Sequence, residues 1–207
     1  MKVQPTPITN KNVELKIVKL NRGKNKPTAV TELNSFFKLK LGIVYSLEKQ
    51  LIKILPKVIK YTRSMELVTA LEIHHSVTKQ QIKRLDLVFK LIHENHGDGK
   101  CALTSALLTQ INEELVLNGE TMVRDAGIIL AVQQVIHHNI VLYGSLLSFA
   151  RTLGKYDLIP QLAEALEEEK KTDRDLTQIA ETFINPVAAG GYRNNTILTL
   201  RSKIMLN

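Results

Sequence analysis

Apolar residues recur at alternating intervals of four and three positions along this chain. The first such segment is predicted to be a helix from about Thr31 to Arg63, with repeating positions Phe37, Leu41, Val44, Glu48, Leu51, Leu55 and Val58. The second follows Ser64, a residue type that caps helices, and repeats at Leu67, Leu71, His74, Thr78, Gln81, Leu85, Val88 and Ile92. This spacing is typical of helices that pack along a common seam in a bundle.

Two further long helices and one short helix complete the pattern. The third long helix is predicted from about Thr121 to Gly154 and is apolar on most sides. The fourth is predicted from about Asp157 to Ile184, with repeating positions Leu158, Leu162, Ala165, Glu169, Thr172, Leu176, Ile179 and Phe183. A shorter helix is predicted from about Ala102 to Leu117.

These elements predict an all-α fold, an antiparallel four-helix bundle with one additional short helix, over residues 31–185. Residues 1–30 are rich in Pro, Asn and Lys/Arg and are predicted to be a basic extended arm. Residues 186–207 contain Gly190-Gly191 and are predicted to be an irregular tail. Both extensions are expected to be flexible.

Each predicted seam is apolar at both ends and polar in its middle. The polar positions are Glu48; His74, Thr78 and Gln81; Gln133 and His137; and Glu169 and Thr172, in helix order. Gln133 and His137 are placed on a third-helix stripe with Ala126, Leu130 and Ile140. Because the middles of antiparallel neighbours lie at one level, these side chains are predicted to converge inside the bundle.

Buried carboxylates cost several kcal/mol unless they are paired or bind a metal. Two alternatives therefore stay open for the polar positions. In one, Glu48, His74, His137 and Glu169 hold a metal ion, as inward carboxylates and imidazoles do in other bundles. In the other, the two histidines pair with the two glutamates in a self-contained network that includes Thr78, Gln81, Gln133 and Thr172.

Several short motifs keep their order and spacing with those of a known family. They are Tyr45-Ser46-Leu47-Glu48-Lys49-Gln50-Leu51 with Leu55-Pro56-Lys57, His74 with Thr78, Arg84-Leu85, Cys101, Val123-Arg124-Asp125-Ala126, Gln133 with His137, Tyr143-Gly144, Leu153-Gly154, and Leu166-Glu167-Glu168-Glu169-Lys170 with Thr172-Asp173 and Leu176-Thr177. Over about residues 33–180 the chain resembles the bacterial YciE/YciF-type ferritin-like proteins, which are associated with stress responses. The resemblance implies a ferritin-like bundle, often dimeric, with a carboxylate-rich centre linked to metal.

The chain departs from this family pattern at carboxylate positions. Val77 stands where members carry a Glu three residues after the second-helix His, and Thr109-Gln110 replaces a Glu pair in the short helix. The third helix reads Ile136-His137-His138-Asn139 where members read Glu-His-Tyr-Glu. Two hard metal ions need several anionic oxygens, so the resemblance implies a di-metal centre that has lost most of its ligands.

Three hypotheses of function follow. The first is a non-enzymatic, stress-associated bundle that binds no cofactor and acts through oligomerisation, as a homodimer or larger, or through partner binding. The second is a metal-binding protein with one divalent ion, Zn or Fe, or a weak di-iron centre with oxidase or peroxide-scavenging activity. The third is a binding module whose basic arm docks on nucleic acid or an anionic surface.

Charge and composition bear on the third hypothesis and on location. The formal net charge is +8, and residues 1–63 carry 14 Lys/Arg against 3 Asp/Glu. Such an excess attracts polyanions through screened electrostatics, although a solvated tail gives the same count. Cys101 is the only cysteine, which excludes an intrachain disulfide and thiolate metal clusters. We predict a cytoplasmic protein without a membrane span, on the interpretation that no uncharged run reaches about 18 residues.

Overall fold

The computed structural model describes residues 32–97, 99–116 and 121–190. Its α-helices are α1 (Leu33–Tyr61), α2 (Met65–Leu91), α3 (Ala102–Val116), α4 (Met122–Thr152), α5 (Ile159–Ile179) and α6 (Asn185–Ala188). A single 3₁₀ turn precedes α5, and a π-helical turn joins α5 to α6. The predicted all-α bundle of four long helices and one short helix is confirmed. The predicted arm (1–30) and residues 191–207 of the predicted tail lie outside the described residues.

Local sequence accounts for where the helices begin and end. The side chain of Ser64 accepts a hydrogen bond from the Leu67 N–H at the start of α2, as predicted. Thr121 caps α4 in the same way. At α1 the residue before the helix is Glu32, whose side chain makes no capping hydrogen bond. Gly154 takes a φ of 68° just beyond α4, the left-handed conformation that ends helices.

The direction of α4 is fixed by one buried carboxylate. Asp125, in the first turn of α4, accepts hydrogen bonds from the backbone N–H groups of Arg63 and Ser64, between α1 and α2. The start of α4 therefore lies at the same end of the bundle as the start of α2, and the connection through α3 runs back along the bundle. Helices α1 and α4 pack side by side, as do α2 and α5. Every pair of neighbouring long helices is consequently antiparallel.

Pro56 lies inside α1 and removes one helical hydrogen bond, which leaves the carbonyl of Ile52 without its N–H partner. The carbonyl receives a hydrogen bond from His75 of α2 instead. Pro56 is thus accommodated inside α1 beside a contact between α1 and α2.

Helix α4 corrects the prediction about uncharged runs. Residues 126–150 contain no Asp, Glu, Lys or Arg, so the statement that no such run reaches 18 residues was wrong. Among the described residues, α4 is the one helix long and apolar enough to cross a membrane, and half of its most apolar window is buried inside the bundle. It contacts α1, α3 and α5. Its apolar character therefore matches that of a central bundle helix.

The core consists of two apolar clusters, one toward each end of the bundle. The predicted seams of α1 and α2 are buried throughout, apart from the half-buried Ile92. In the fourth helix, the π turn inserts one extra residue, so Ile184 is buried and Phe183 is only partly buried. The prediction of Phe183 as a seam residue is corrected accordingly.

Candidate functional site at the polar layer

Seven buried polar side chains lie between the two apolar clusters, and we call them the polar layer. They are Glu48 of α1; His74, Thr78 and Gln81 of α2; Asn139 and Tyr143 of α4; and Glu169 of α5. Each is at most 1% exposed. Each comes from near the middle of its helix, as the sequence predicted for the α1, α2 and α5 members. The layer therefore draws on all four long helices.

Glu48 is the most heavily bonded member of the layer. Its Oε1 atom accepts a hydrogen bond from Asn139 Nδ2 at 3.0 Å and another from Tyr143 Oη at 3.0 Å. Burial raises the pKa of Glu48 well above its usual range, and the nearby carboxyl of Glu169 raises it further. The two hydrogen bonds act in the opposite direction, since they favour the ionised form. Burial outweighs these hydrogen bonds, so the pKa of Glu48 stays raised and its neutral form is favoured.

Glu169 faces Glu48 from α5. Its Oε1 atom accepts a hydrogen bond from Gln81 Nε2 at 2.8 Å. Burial raises its pKa to about 7, while hydrogen bonds from Gln81 and Asn139 hold it down. Asn139 therefore lies between the two carboxyl groups and interacts with both. At neutral pH the pair carries at most about one negative charge, because two close buried carboxylates cannot both ionise.

His74 lies in the layer without a hydrogen bond to either glutamate. In the described part of the chain neither of its ring nitrogens has a hydrogen-bond partner. Burial lowers its pKa to about 4, so the imidazole is neutral at pH 7. The predicted pairing of His74 with a glutamate is therefore absent from this structure. Thr78 Oγ1 likewise has no partner among the described residues.

Arg84 closes the layer on the side of α2 and α5. Its guanidinium lies 3.3 Å from Glu164 Oε1 and contacts Glu168 Oε2. It lowers the pKa of Tyr143 and of Glu168, although burial dominates both groups and raises their pKa values. Arg84 thus forms its ion pairs with the partly exposed carboxylates of Glu164 and Glu168 on α5.

Two predicted members of the site lie elsewhere. His137 is exposed, with 64% of its side chain accessible, and its Nε2 is 3.0 Å from Asp173 Oδ1. Gln133 Nε2 donates to Asp173 Oδ1 at 2.9 Å and to Thr177 Oγ1 at 2.8 Å, on the half-buried contact between α4 and α5. The prediction that these two side chains point into the layer was wrong, because the inward stripe of α4 runs through other residues.

Thr172, the remaining predicted member, lies at the margin of the layer. It is 9% exposed, and its hydroxyl donates to the backbone carbonyl of Glu168 at 3.0 Å. The hydroxyl is therefore committed to its own helix. Thr172 packs beside the layer without joining its side-chain hydrogen bonds.

The inward stripe of α4 supplies two functional residues that sequence analysis missed. Asn139 and Tyr143 are fully buried and both bond Glu48. The sequence analysis noted Asn139 only because it replaces a glutamate of the family pattern, and it assigned no role to this side chain. The spacing of Asp125, Val132 and Asn139, seven residues each, was the available signal, since a seven-residue interval keeps one helix face.

The donor atoms of the layer do not match the needs of a di-metal centre. Two carboxyl groups that together carry about one charge do not fit a di-metal centre, which needs several anionic oxygens. A single divalent ion would draw on Glu48, Glu169 and the neutral His74, whose free oxygen and nitrogen atoms are suitable ligand types. Over residues 32–97, 99–116 and 121–190, however, no three His, Cys, Asp or Glu side chains lie close enough together to hold one ion.

Comparisons with known proteins place this geometry in context. Residues 32–189 match the model of a domain of unknown function, DUF892. Protein YciF of Escherichia coli is 36% identical over 153 residues, which cover 72% of this chain and 90% of that protein. The crystal structure of this E. coli stress protein superposes with a TM-score of 0.72 at 34% identity, and the match covers 75% of this chain and 99% of that one. YcfI from Rhodopseudomonas palustris superposes with a TM-score of 0.71 at 29% identity and the same coverage.

Proposed function

The chain belongs to the DUF892 family, and from this premise we propose that it is a non-enzymatic, stress-associated, ferritin-like bundle protein whose former metal centre is closed by its own side chains. It acts through oligomerisation or partner binding. The association with stress comes from its similarity to the E. coli stress protein YciF. We also propose that the protein is cytoplasmic.

One observation carries the proposal. The carboxyl of Glu48 accepts hydrogen bonds from an amide and a phenol of α4, Asn139 and Tyr143. An amide N–H₂ group cannot ligate a metal, and together with the phenol it occupies lone pairs of Glu48 Oε1 that a metal would otherwise use. Gln81 does the same for Glu169. A hydrogen-bonded layer that carries at most about one negative charge needs no divalent cation to offset its charge.

Residue identities near the layer agree with this proposal. Ile136 is fully buried in an apolar cluster, and Val77 is half-buried between α2 and α5. In the family pattern that this chain resembles, glutamates stand at both of these positions and at the position of Asn139. Replacing three carboxylates removes three negative charges from one site, which removes the electrostatic reason for hard cations to enter.

The experiment compares iron uptake by the protein and by a variant with carboxylates restored. Purified protein is titrated with Fe²⁺ anaerobically, and bound metal is measured after desalting. We expect less than about a tenth of an equivalent in the wild type, the level of adventitious binding to a site without charge balance. The Val77→Glu/Asn139→Glu variant is expected to bind substantially more, and Leu87→Glu on the outer face of α2 serves as its matched control. Two equivalents per wild-type chain would refute the proposal.

Oligomerisation is supported by an outer strip of α4 on which two apolar side chains are exposed, one on each side of His137. Leu130 and Val141 are 53% and 64% exposed, three turns apart on one helix. Large exposed apolar side chains on one face are typical of a subunit contact. We expect a homodimer in sedimentation equilibrium that Leu130→Lys/Val141→Lys converts to a monomer. Leu87→Lys is the control, and a double variant that stays dimeric would remove this strip from the interface.

The second candidate function is the binding of a single divalent ion. One observation favours it. Glu48 Oε2, Glu169 Oε2 and both nitrogens of His74 have no hydrogen-bond partner among the described residues. An ion held there would act as a Lewis acid. Zn²⁺ titration by calorimetry separates this candidate from the first. Stoichiometric binding that His74→Leu abolishes and His137→Leu leaves intact would support it, and no heat of binding would end it.

A further inference from the structure

An open groove with a volume of about 360 Å³ runs between α2 and α5. Apolar side chains line much of it, including Ile73 and Val77 from α2 and Ile179 from α5. Ile73 is 55% exposed. Within the described residues, α3 lies against α4 and α1, on the opposite side of the bundle, and does not cover this groove. An apolar groove of this size on the surface is typical of a docking site.

The borders of the groove carry an excess of negative charge. Glu66, Glu168 and Asp175 contribute three carboxylates, Lys171 contributes an ammonium group, and Arg84 beside the groove contacts Glu168, so one negative charge remains in excess. The ammonium lies 2.6 Å from Asp175. The groove therefore favours an occupant that combines apolar side chains with positive charge.

Residues 191–207 of this chain have that composition. They include Arg193, Arg201 and Lys203 and contain no Asp or Glu. Six of the eleven residues from 196 to 206 are apolar: Ile197, Leu198, Leu200, Ile204, Met205 and Leu206. The segment complements the groove in both charge and hydrophobicity. We propose that residues 191–207 of the same chain dock in the groove between α2 and α5.

Chain geometry favours this segment over the N-terminal one. Thr182 lines one end of the groove, and Gly190 is eight residues further along. Seventeen residues reach up to about 56 Å when extended, whereas the twelve-residue helical stretch from Glu66 to Val77 measures only about 17 Å. The N-terminal segment instead enters α1 at the opposite end of the bundle, where Lys38 pairs with Glu94 beyond α2.

Tethering makes even weak docking effective. A short flexible linker gives an effective concentration of about 1 mM. A segment with an intrinsic Kd of about 100 μM would then be bound about nine tenths of the time. Binding to the folded groove stabilises the groove helices against local opening by the factor 1 + [L]/Kd, which is about tenfold here.

The test is hydrogen exchange measured by mass spectrometry on the full chain and on a variant lacking residues 191–207. We expect amides of residues 66–77 and 168–182 to exchange about tenfold faster in the shortened chain, while those of the first half of α1 are unchanged. Adding a synthetic peptide of residues 191–207 at about 1 mM is expected to restore slow exchange. Uniform acceleration of every helix, or no acceleration, would overturn the proposal.

A groove variant separates docking from local instability. Ile73→Arg in the full chain is expected to reproduce the faster exchange of the shortened chain, with Leu87→Arg on the same helix as the matched control. In the shortened chain Ile73→Arg is expected to have no further effect, because the contact it removes is already gone. Equal effects in both backgrounds would contradict docking. Protection that rises with protein concentration would assign the groove to a second copy of the chain and would also overturn the proposal.

Discussion

The substitution Glu169→Gln tests how the buried layer manages its charge. The amide has the shape of the carboxyl and still offers an oxygen to Gln81 Nε2, which now donates to Glu169 Oε1 at 2.8 Å. It removes the ionisable group, however. We therefore expect the variant to be more stable than the wild type at pH 8 and similar to it at pH 4.

The sign and size follow from the pKa of Glu169. Burial raises this pKa from 4.5 to about 7 in the folded protein. The folded state then holds the proton of Glu169 more tightly than the unfolded state does. The stabilisation that this proton contributes is complete below pH 4.5 and is lost as the pH rises through about 7. Such a difference corresponds to about 3 kcal/mol of unfolding free energy at pH 8. The raised pKa of Glu48 also makes the unfolding free energy of the wild type fall as the pH rises.

The assay is urea unfolding, followed by circular dichroism, from pH 4 to pH 8 in the presence of a chelator. Glu167→Gln, an exposed neighbour on α5 whose pKa is lowered by Lys170, is the control and should leave the loss of stability toward pH 8 unchanged. A Glu169→Gln variant that is less stable than the wild type at pH 8 would refute the reasoning. That result would mean that the ionised carboxylate is satisfied by a positive charge, as in a metal site.

Three further predictions concern the frame around the layer and the arm. Asp125→Ala should lower the unfolding free energy by about 2–4 kcal/mol, because the backbone N–H groups of Arg63 and Ser64, the latter buried, lose their acceptor; urea midpoints at constant m-value check this. Gly99→Ala should destabilise the protein, because Gly99 has a φ of +45° and an added Cβ would collide with the backbone of α1. Gly144→Ala on α4, where an added Cβ meets open space, should raise the thermal midpoint slightly. If the arm binds polyanions, deleting residues 1–30 should weaken binding to a DNA duplex and flatten its salt dependence, and an unchanged slope would exclude the arm.

Strong amphipathic patterns made most of the fold predictable. The seams of α1 and α2 alternate large apolar residues with exposed polar ones, so their phase was evident, and Glu48 and His74 were placed correctly. Helix α4 lacks this contrast. Residues 126–150 are uncharged, and the helix packs on α1, α3 and α5, so two of its faces are apolar. Its periodicity therefore left the phase undetermined, and His137 was assigned inward while Asn139 was missed.

The partners within the layer were beyond the reach of sequence pattern. Periodicity predicts which residues share a level, but hydrogen bonds depend on side-chain reach across helices. His74 was expected to pair with a glutamate, yet Asn139 and Tyr143 bond Glu48 instead. The π turn after α5 was also missed, although Pro186 follows it by two residues. Because Pro lacks an N–H and crowds the turn before it, Pro186 was the available signal for this irregularity.

The account depends most on what lies between Glu48 and Glu169. The most direct measurement is an anomalous difference map, at the iron absorption edge, from crystals grown with excess Fe²⁺. We predict no peak between the two carboxyl groups, with Asn139 and Tyr143 within hydrogen-bond distance of Glu48. A strong peak there, with Asn139 turned away from Glu48, would contradict the central claim.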